Sequence, residues 1–72
     1  MLQILSVGDV GGSAAVTFQV DNKVYVDQRV GSKVSTSWGD VTVVGINTEA
    51  KTVSLLHDGE TLPMKEHQIL FE

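Results

Sequence analysis

The amino-acid sequence predicts an all-β domain, a small sandwich or barrel of six or seven short antiparallel strands. Three observations lead there. From Ser13 to Val20 apolar residues recur at period two, with Ala14, Val16, Phe18 and Val20 on one face and Ala15, Thr17 and Gln19 on the other. Turn residues punctuate the chain at intervals of roughly eight to twelve residues, and valine supplies much of the apolar set between them. No stretch of ten or more residues carries a helical period.

Taken in order, Met1 to Val7 reads as a first strand, ended by Gly8-Asp9 and then Gly11-Gly12. Ser13 to Val20 is the second. Asp21-Asn22 tolerates left-handed backbone and suits a tight hairpin. The return strand runs from Lys23 to about Val30, with Val24 and Val26 expected on its inner face and Tyr25 and Asp27 pointing outward. Gly31-Ser32 breaks it, and Lys33 to Asp40 reads as a polar loop that holds one large aromatic, Trp38. Val41 to Asn47 is a strand with a bulge expected at Gly45, and a connector, Thr48 to Lys51, leads to Thr52 to His57. Asp58-Gly59 is the strongest hairpin turn in the chain. Glu60 to Leu62 pairs back, and Pro63 is expected to close that strand because it cannot donate to a ladder. The last residues form a helical turn or a final strand, with Ile69-Leu70-Phe71 docked on the body and Lys65 and Glu66 solvated.

Length and composition bound what such a domain does. Residues 1–72 make one domain, which at this size buries about 60% of the surface its unfolded chain exposes. There is no cysteine, so neither a disulfide nor a thiolate metal site contributes. Nine acidic residues outweigh five scattered basic ones, Lys23, Arg29, Lys33, Lys51 and Lys65. Gripping phosphate backbones takes clustered basic charge, so no nucleic acid and no anionic membrane surface is expected as a partner. No apolar run approaches the roughly 18 residues of a membrane helix, and no signal-peptide pattern is visible. That pattern leaves two addresses: a cytoplasmic protein, or a piece of a longer chain.

The search for chemistry returns no enzyme, cofactor or metal site. His57 and His67 are the two candidate bases near neutral pH, and Asp58, Glu60 and Glu66 beside them form no metal-ligand signature. Ser35, Thr36 and Ser37 stand in no nucleophile motif. Gly8, Gly11 and Gly12 precede a strand, whereas a phosphate loop needs a helix behind it. Asp9, Asp21 and Asp27 lack the spacing of a calcium loop. Interaction is what is left. A small open sandwich has edge strands that can accept a partner's strand. Trp38 is the interaction candidate, against the alternative that it folds inward, caps the core and bonds its N–H to a loop carbonyl.

The stretches ILSVGDVGGSAAVTFQV, KVYVDQRVGSKV, SWGDVTVVGIN and KTVSLLHDGETLPM resemble, over residues 4–64, the periplasmic homology region of the PilP and GspC proteins of type IV pilus biogenesis and type II secretion. The likeness is nearest to the type IVb PilP pattern, with Val30, Gly31 and Val34 as its glycine-valine frame and Asp58-Gly59 at the closing hairpin. The connector Asn47 to Lys51 and the tail 65–72 depart from that pattern. The resemblance implies two short antiparallel sheets packed face to face and a cofactor-free structural role. It implies protein partners, namely the N-terminal domain of the outer-membrane secretin and inner-membrane platform proteins, and a periplasmic place in an inner-membrane-anchored parent chain. Two other readings stand beside it: a standalone cytoplasmic β-barrel adaptor or inhibitor of phage or mobile-element type, and an SH3-like or OB-like nucleic-acid binder, which the charge disfavours.

Overall fold

A computed structural model describes residues 1–71, with eight strands in two antiparallel sheets of four. β1 (Leu2–Val10), β2 (Ser13–Val20) and β3 (Lys23–Gln28) form one meander. The chain then crosses to the second sheet, where β4 (Lys33–Thr36), β5 (Gly39–Asn47), β6 (Thr52–His57) and β7 (Glu60–Lys65) form another. β8 (Ile69–Leu70) returns to the first sheet and pairs with β1. The strand orders are therefore β3-β2-β1-β8 and β4-β5-β6-β7.

The core lies between the sheets. Leu2, Ile4 and Val7 of β1 and Val16, Phe18 and Val20 of β2 face Val41 and Val43 of β5, Val53 and Leu55 of β6, and Met64 of β7, none more than 3% exposed. Phe18 is the largest of these, and it stacks on Tyr25 with ring centroids 5.4 Å apart. Tyr25, Val34, Trp38, Ile46 and Leu70 close the rim.

Two bulges explain how the apolar spacing fits the pleat. In β1 the inward residues are Leu2, Ile4 and then Val7, and the register shifts between Ile4 and Ser6, so that Leu5 is the extra residue. In β5 they are Val41, Val43 and then Ile46, with the shift between Val43 and Gly45. A step of three where the period is two would turn the strand inside out; one inserted residue restores the face. The bulge expected at Gly45 is therefore present, with exposed Val44 as the inserted residue.

The all-β class holds, and six particulars differ from the sequence expectation. Lys33 to Asp40 is a hairpin, with Ser37-Trp38 at its tip, because Lys33, Val34, Ser35 and Thr36 pair with Thr42, Val41, Asp40 and Gly39. Together with β8 it raises the strand count to eight. β1 continues through Gly8-Asp9 and turns at Gly11-Gly12, both at positive φ. β3 ends at Gln28, so Val30 lies in the loop beyond it. Pro63 does not end its strand: it sits inside β7, an edge, where a missing N–H costs no ladder bond. In the tail, Glu66 is half-buried instead of solvated, and of the apolar triplet Leu70 packs while Ile69 and Phe71 are exposed.

The sixth difference is the largest. β3 is inverted relative to expectation: Tyr25 faces the core, while Val24 and Val26 are 45% and 61% exposed. The two-residue Asp21-Asn22 turn sets Lys23 opposite Val20, which places Val24 opposite outward Gln19 and Tyr25 opposite inward Phe18. Register, not hydrophobicity, decided which side the valines took.

Candidate functional site

The two seams where the sheets meet are finished differently. On the β1 side every outward backbone group from Ile4 to Val7 that faces away from β2 has a partner. The Ile4 N–H donates to the Gln68 carbonyl at 3.1 Å and its carbonyl accepts from the His67 N–H at 2.7 Å. At Val7 the chain supplies side chains: Glu66 Oε2 accepts from the N–H at 2.8 Å and Lys51 Nζ donates to the carbonyl at 2.9 Å. The Glu66 N–H in turn donates to the Lys51 carbonyl at 2.9 Å, which ties these two loops together. This seam is sealed.

The opposite seam, between β3 and β4, is open. Two side-chain bonds cross it: the Tyr25 hydroxyl donates to the Ser35 carbonyl at 3.1 Å, and at one end the Ser37 hydroxyl donates to the Asp21 carboxylate. A cleft of about 410 Å³ lies there, lined by Val20, Asp21, Lys23, Tyr25, Ser35 and Ser37 among others. Because Lys23 and Tyr25 pair with Val20 and Phe18 around a two-residue turn, the alternation of the ladder points the Val24 and Val26 backbone groups away from β2. The Val26 carbonyl accepts from its neighbour Gln28 Nε2 at 2.9 Å; the Val24 N–H and carbonyl and the Val26 N–H have no protein partner among the described residues.

Exposed apolar side chains lie on β3, in the loop that follows it and at the end of β1. Val24 and Val26 lie on β3, Val30 (58% exposed) follows it, and Val10 (41%) ends β1. Arg29 ties the last two together: its guanidinium donates to the Val10 and Ser13 carbonyls, both at 3.1 Å.

At the end of the cleft two hairpin tips meet. Asp21, at φ 52°, accepts from the Met1 ammonium at 2.7 Å and from the Ser37 hydroxyl. These donors, the ammonium first, hold its carboxyl below the ordinary value of 3.8, with a smaller contribution from Trp38. Trp38 itself is half-buried against the core, its ring 6.1 Å from that of His57. The Trp38 carbonyl lies 2.7 Å from His57 Nε2. A carbonyl only accepts, so that nitrogen carries the proton and His57 acts as a donor holding the hairpin tip.

The remaining sequence candidates are spread out. Gly31, at φ 95°, donates its N–H to the Val43 carbonyl at 2.8 Å, and Val34 packs at the core rim opposite Val41. Asp58 and Gly59, at φ 50° and 76°, form the two-residue turn between β6 and β7. They lie in the β6-β7 hairpin, away from the open seam in strand order, so the structure brings Trp38 to the cleft end and leaves Asp58-Gly59 apart. Sequence reading assigned Asp21 only a turn and Arg29, Lys51 and Glu66 no role. Their partners stand 16 to 59 residues away in the chain, and no local pattern signals such contacts. Among the described residues no three His, Asp or Glu gather where a metal ion could be held. No family model, curated protein or solved structure matches the chain.

Proposed function

We propose that this chain is a non-enzymatic protein-interaction domain that binds through the open β3 margin, and that it couples an inner-membrane pilus or secretion platform to the outer-membrane secretin. The observation that supports interaction is the contrast between the seams. One has its outward backbone groups capped by Glu66 and Lys51, while β3 offers unpartnered backbone groups beside Val24, Val26 and Val30. Natural sheets blunt edges that have no use, and an exposed apolar edge invites a strand. The coupling role and its periplasmic setting rest on the resemblance of residues 4–64 to the PilP and GspC homology region.

The test is a titration of the domain with the N-terminal domain of a cognate secretin and, separately, with the platform protein, read by amide exchange. Binding should slow exchange at Val24 and Val26, and Val30→Glu should weaken it at least about tenfold, or 1.4 kcal/mol. Unchanged exchange along every strand with both proteins would sink the coupling role. Binding that protects β7 or the outer face of the second sheet instead would move the site.

A further inference from the structure

We propose that the β3 edge also takes a second copy of this chain, pairing antiparallel about Tyr25 to join two first sheets into one eight-stranded sheet. This rests on the reading of the β3 margin as the interaction surface and names one occupant of it. The sequence Lys23-Val24-Tyr25-Val26-Asp27 is self-complementary when reversed. Antiparallel pairing centred on Tyr25 sets Val24 opposite the partner's Val26, and Val26 opposite the partner's Val24. It sets Lys23 opposite the partner's Asp27 at both ends. The geometry of the edge agrees with that register. Val24 and Val26 are the residues whose backbone groups point outward, so they form the hydrogen-bonded pairs once the exposed Gln28 side chain releases the Val26 carbonyl, and Tyr25 falls at the non-hydrogen-bonded pair on the two-fold axis, where the strands' Cα atoms approach more closely.

Three further features support this occupant. Both valine side chains are exposed on the same outer face, so the cross-strand pairs bury four of them along one row. A slip of two residues would set Lys23 against Tyr25 and Val26 against Asn22, losing the charge match and reducing the two valine pairs to one. The other edges are poorer hosts: β7 carries Pro63, β8 has two residues and β4 has four. Asp27, at φ 53° with its N–H on Thr17 Oγ1, ends the regular edge, which limits the pairing to Lys23–Asp27. An interface this short is weak.

Sedimentation equilibrium up to about 1 mM chain, a range suited to weak interfaces, should show mass rising from the 7.7 kDa of one chain toward twice that. Over the same range exchange at the Val24 and Val26 amides should slow. Val26→Lys should raise the dissociation constant at least tenfold, whereas Leu56→Lys, on the second sheet, should leave it unchanged. Lys23→Asp should weaken pairing by placing acid against acid, and adding Asp27→Lys should restore it. Lysine is tolerated at such a φ, since Lys51 already sits at 57°. Far-UV circular dichroism checks that each variant folds. A chain that stays monomeric, or a dimer indifferent to Val26→Lys and to the charge exchange, overturns the proposal. If the monomeric chain still shows β3 protection with a heterologous partner, self-pairing fails while the interaction reading stands.

Discussion

Asp21 is a turn residue in the sequence and a junction in the structure. It holds the left-handed conformation that Asp accepts more readily than most residues, and its carboxylate joins the β2-β3 turn to Ser37 of the β4-β5 hairpin and to the Met1 ammonium. Its pKa is lowered, so the folded state favours the ionised form. The stabilisation is fully present above the unfolded value near 3.8 and is lost as pH falls through the lower folded value. Asp21→Asn keeps the turn and removes the charge. It should lower the urea midpoint at pH 7, and the gap from the native chain should close in titrations carried below about pH 4. A gap independent of pH would mean that the carboxylate contributes shape and no charge. Trp38 gives the companion lesson: a lone aromatic in a polar stretch became a rim residue because the hairpin under it, with its carbonyl held by His57, turned the ring against the core.

At the scale of the element, the edges carry the argument. β1 and β3 are both long enough to recruit a strand, and they are treated in opposite ways. β1 is covered by a two-residue strand and then by Glu66 and Lys51 acting as substitute neighbours for Val7. Removing the acceptor tests that role. Glu66→Ala should cost about 1 kcal/mol, the order of one partly exposed charge-assisted hydrogen bond. It should also speed amide exchange at Val7 while leaving Val24 as it was. If Val7 exchange is unaffected, water serves that amide equally well and the edge is not sealed by this contact. The inversion of β3 belongs to this scale too. A two-residue turn and one bulge near Asp27 set its faces, and the valines that a hydrophobicity reading buries are left at the margin.

For the whole molecule, eleven side chains from five strands form the core, and Phe18 is the largest of them. A domain this small has little reserve, with an expected stability toward the lower end of about 5–15 kcal/mol. Phe18→Ala leaves a cavity between the sheets and removes the surface on which Tyr25 stacks, at a cost of about 3–5 kcal/mol. At roughly 4–8 °C per kcal/mol, the thermal midpoint should fall by at least about 12 °C. A drop under about 5 °C in a far-UV melt would show that the core repacks around the loss.

Much of the fold was readable in the chain because its causes are local. Alternation in Ser13 to Val20, turn residues at Asp21-Asn22 and Asp58-Gly59, and the glycine at position 45 that marks a bulge each act over a few positions of chain. They determine the all-β class and most of the hairpins. The tertiary structure alone decided which seam closes, which face β3 shows, and where Trp38 rests. Those outcomes depend on contacts such as Val7 with Glu66 and Lys51, 59 and 44 residues apart, and on register carried through turns and bulges. A chain met as letters has no record of such distances; only packing two sheets against one core brings them together.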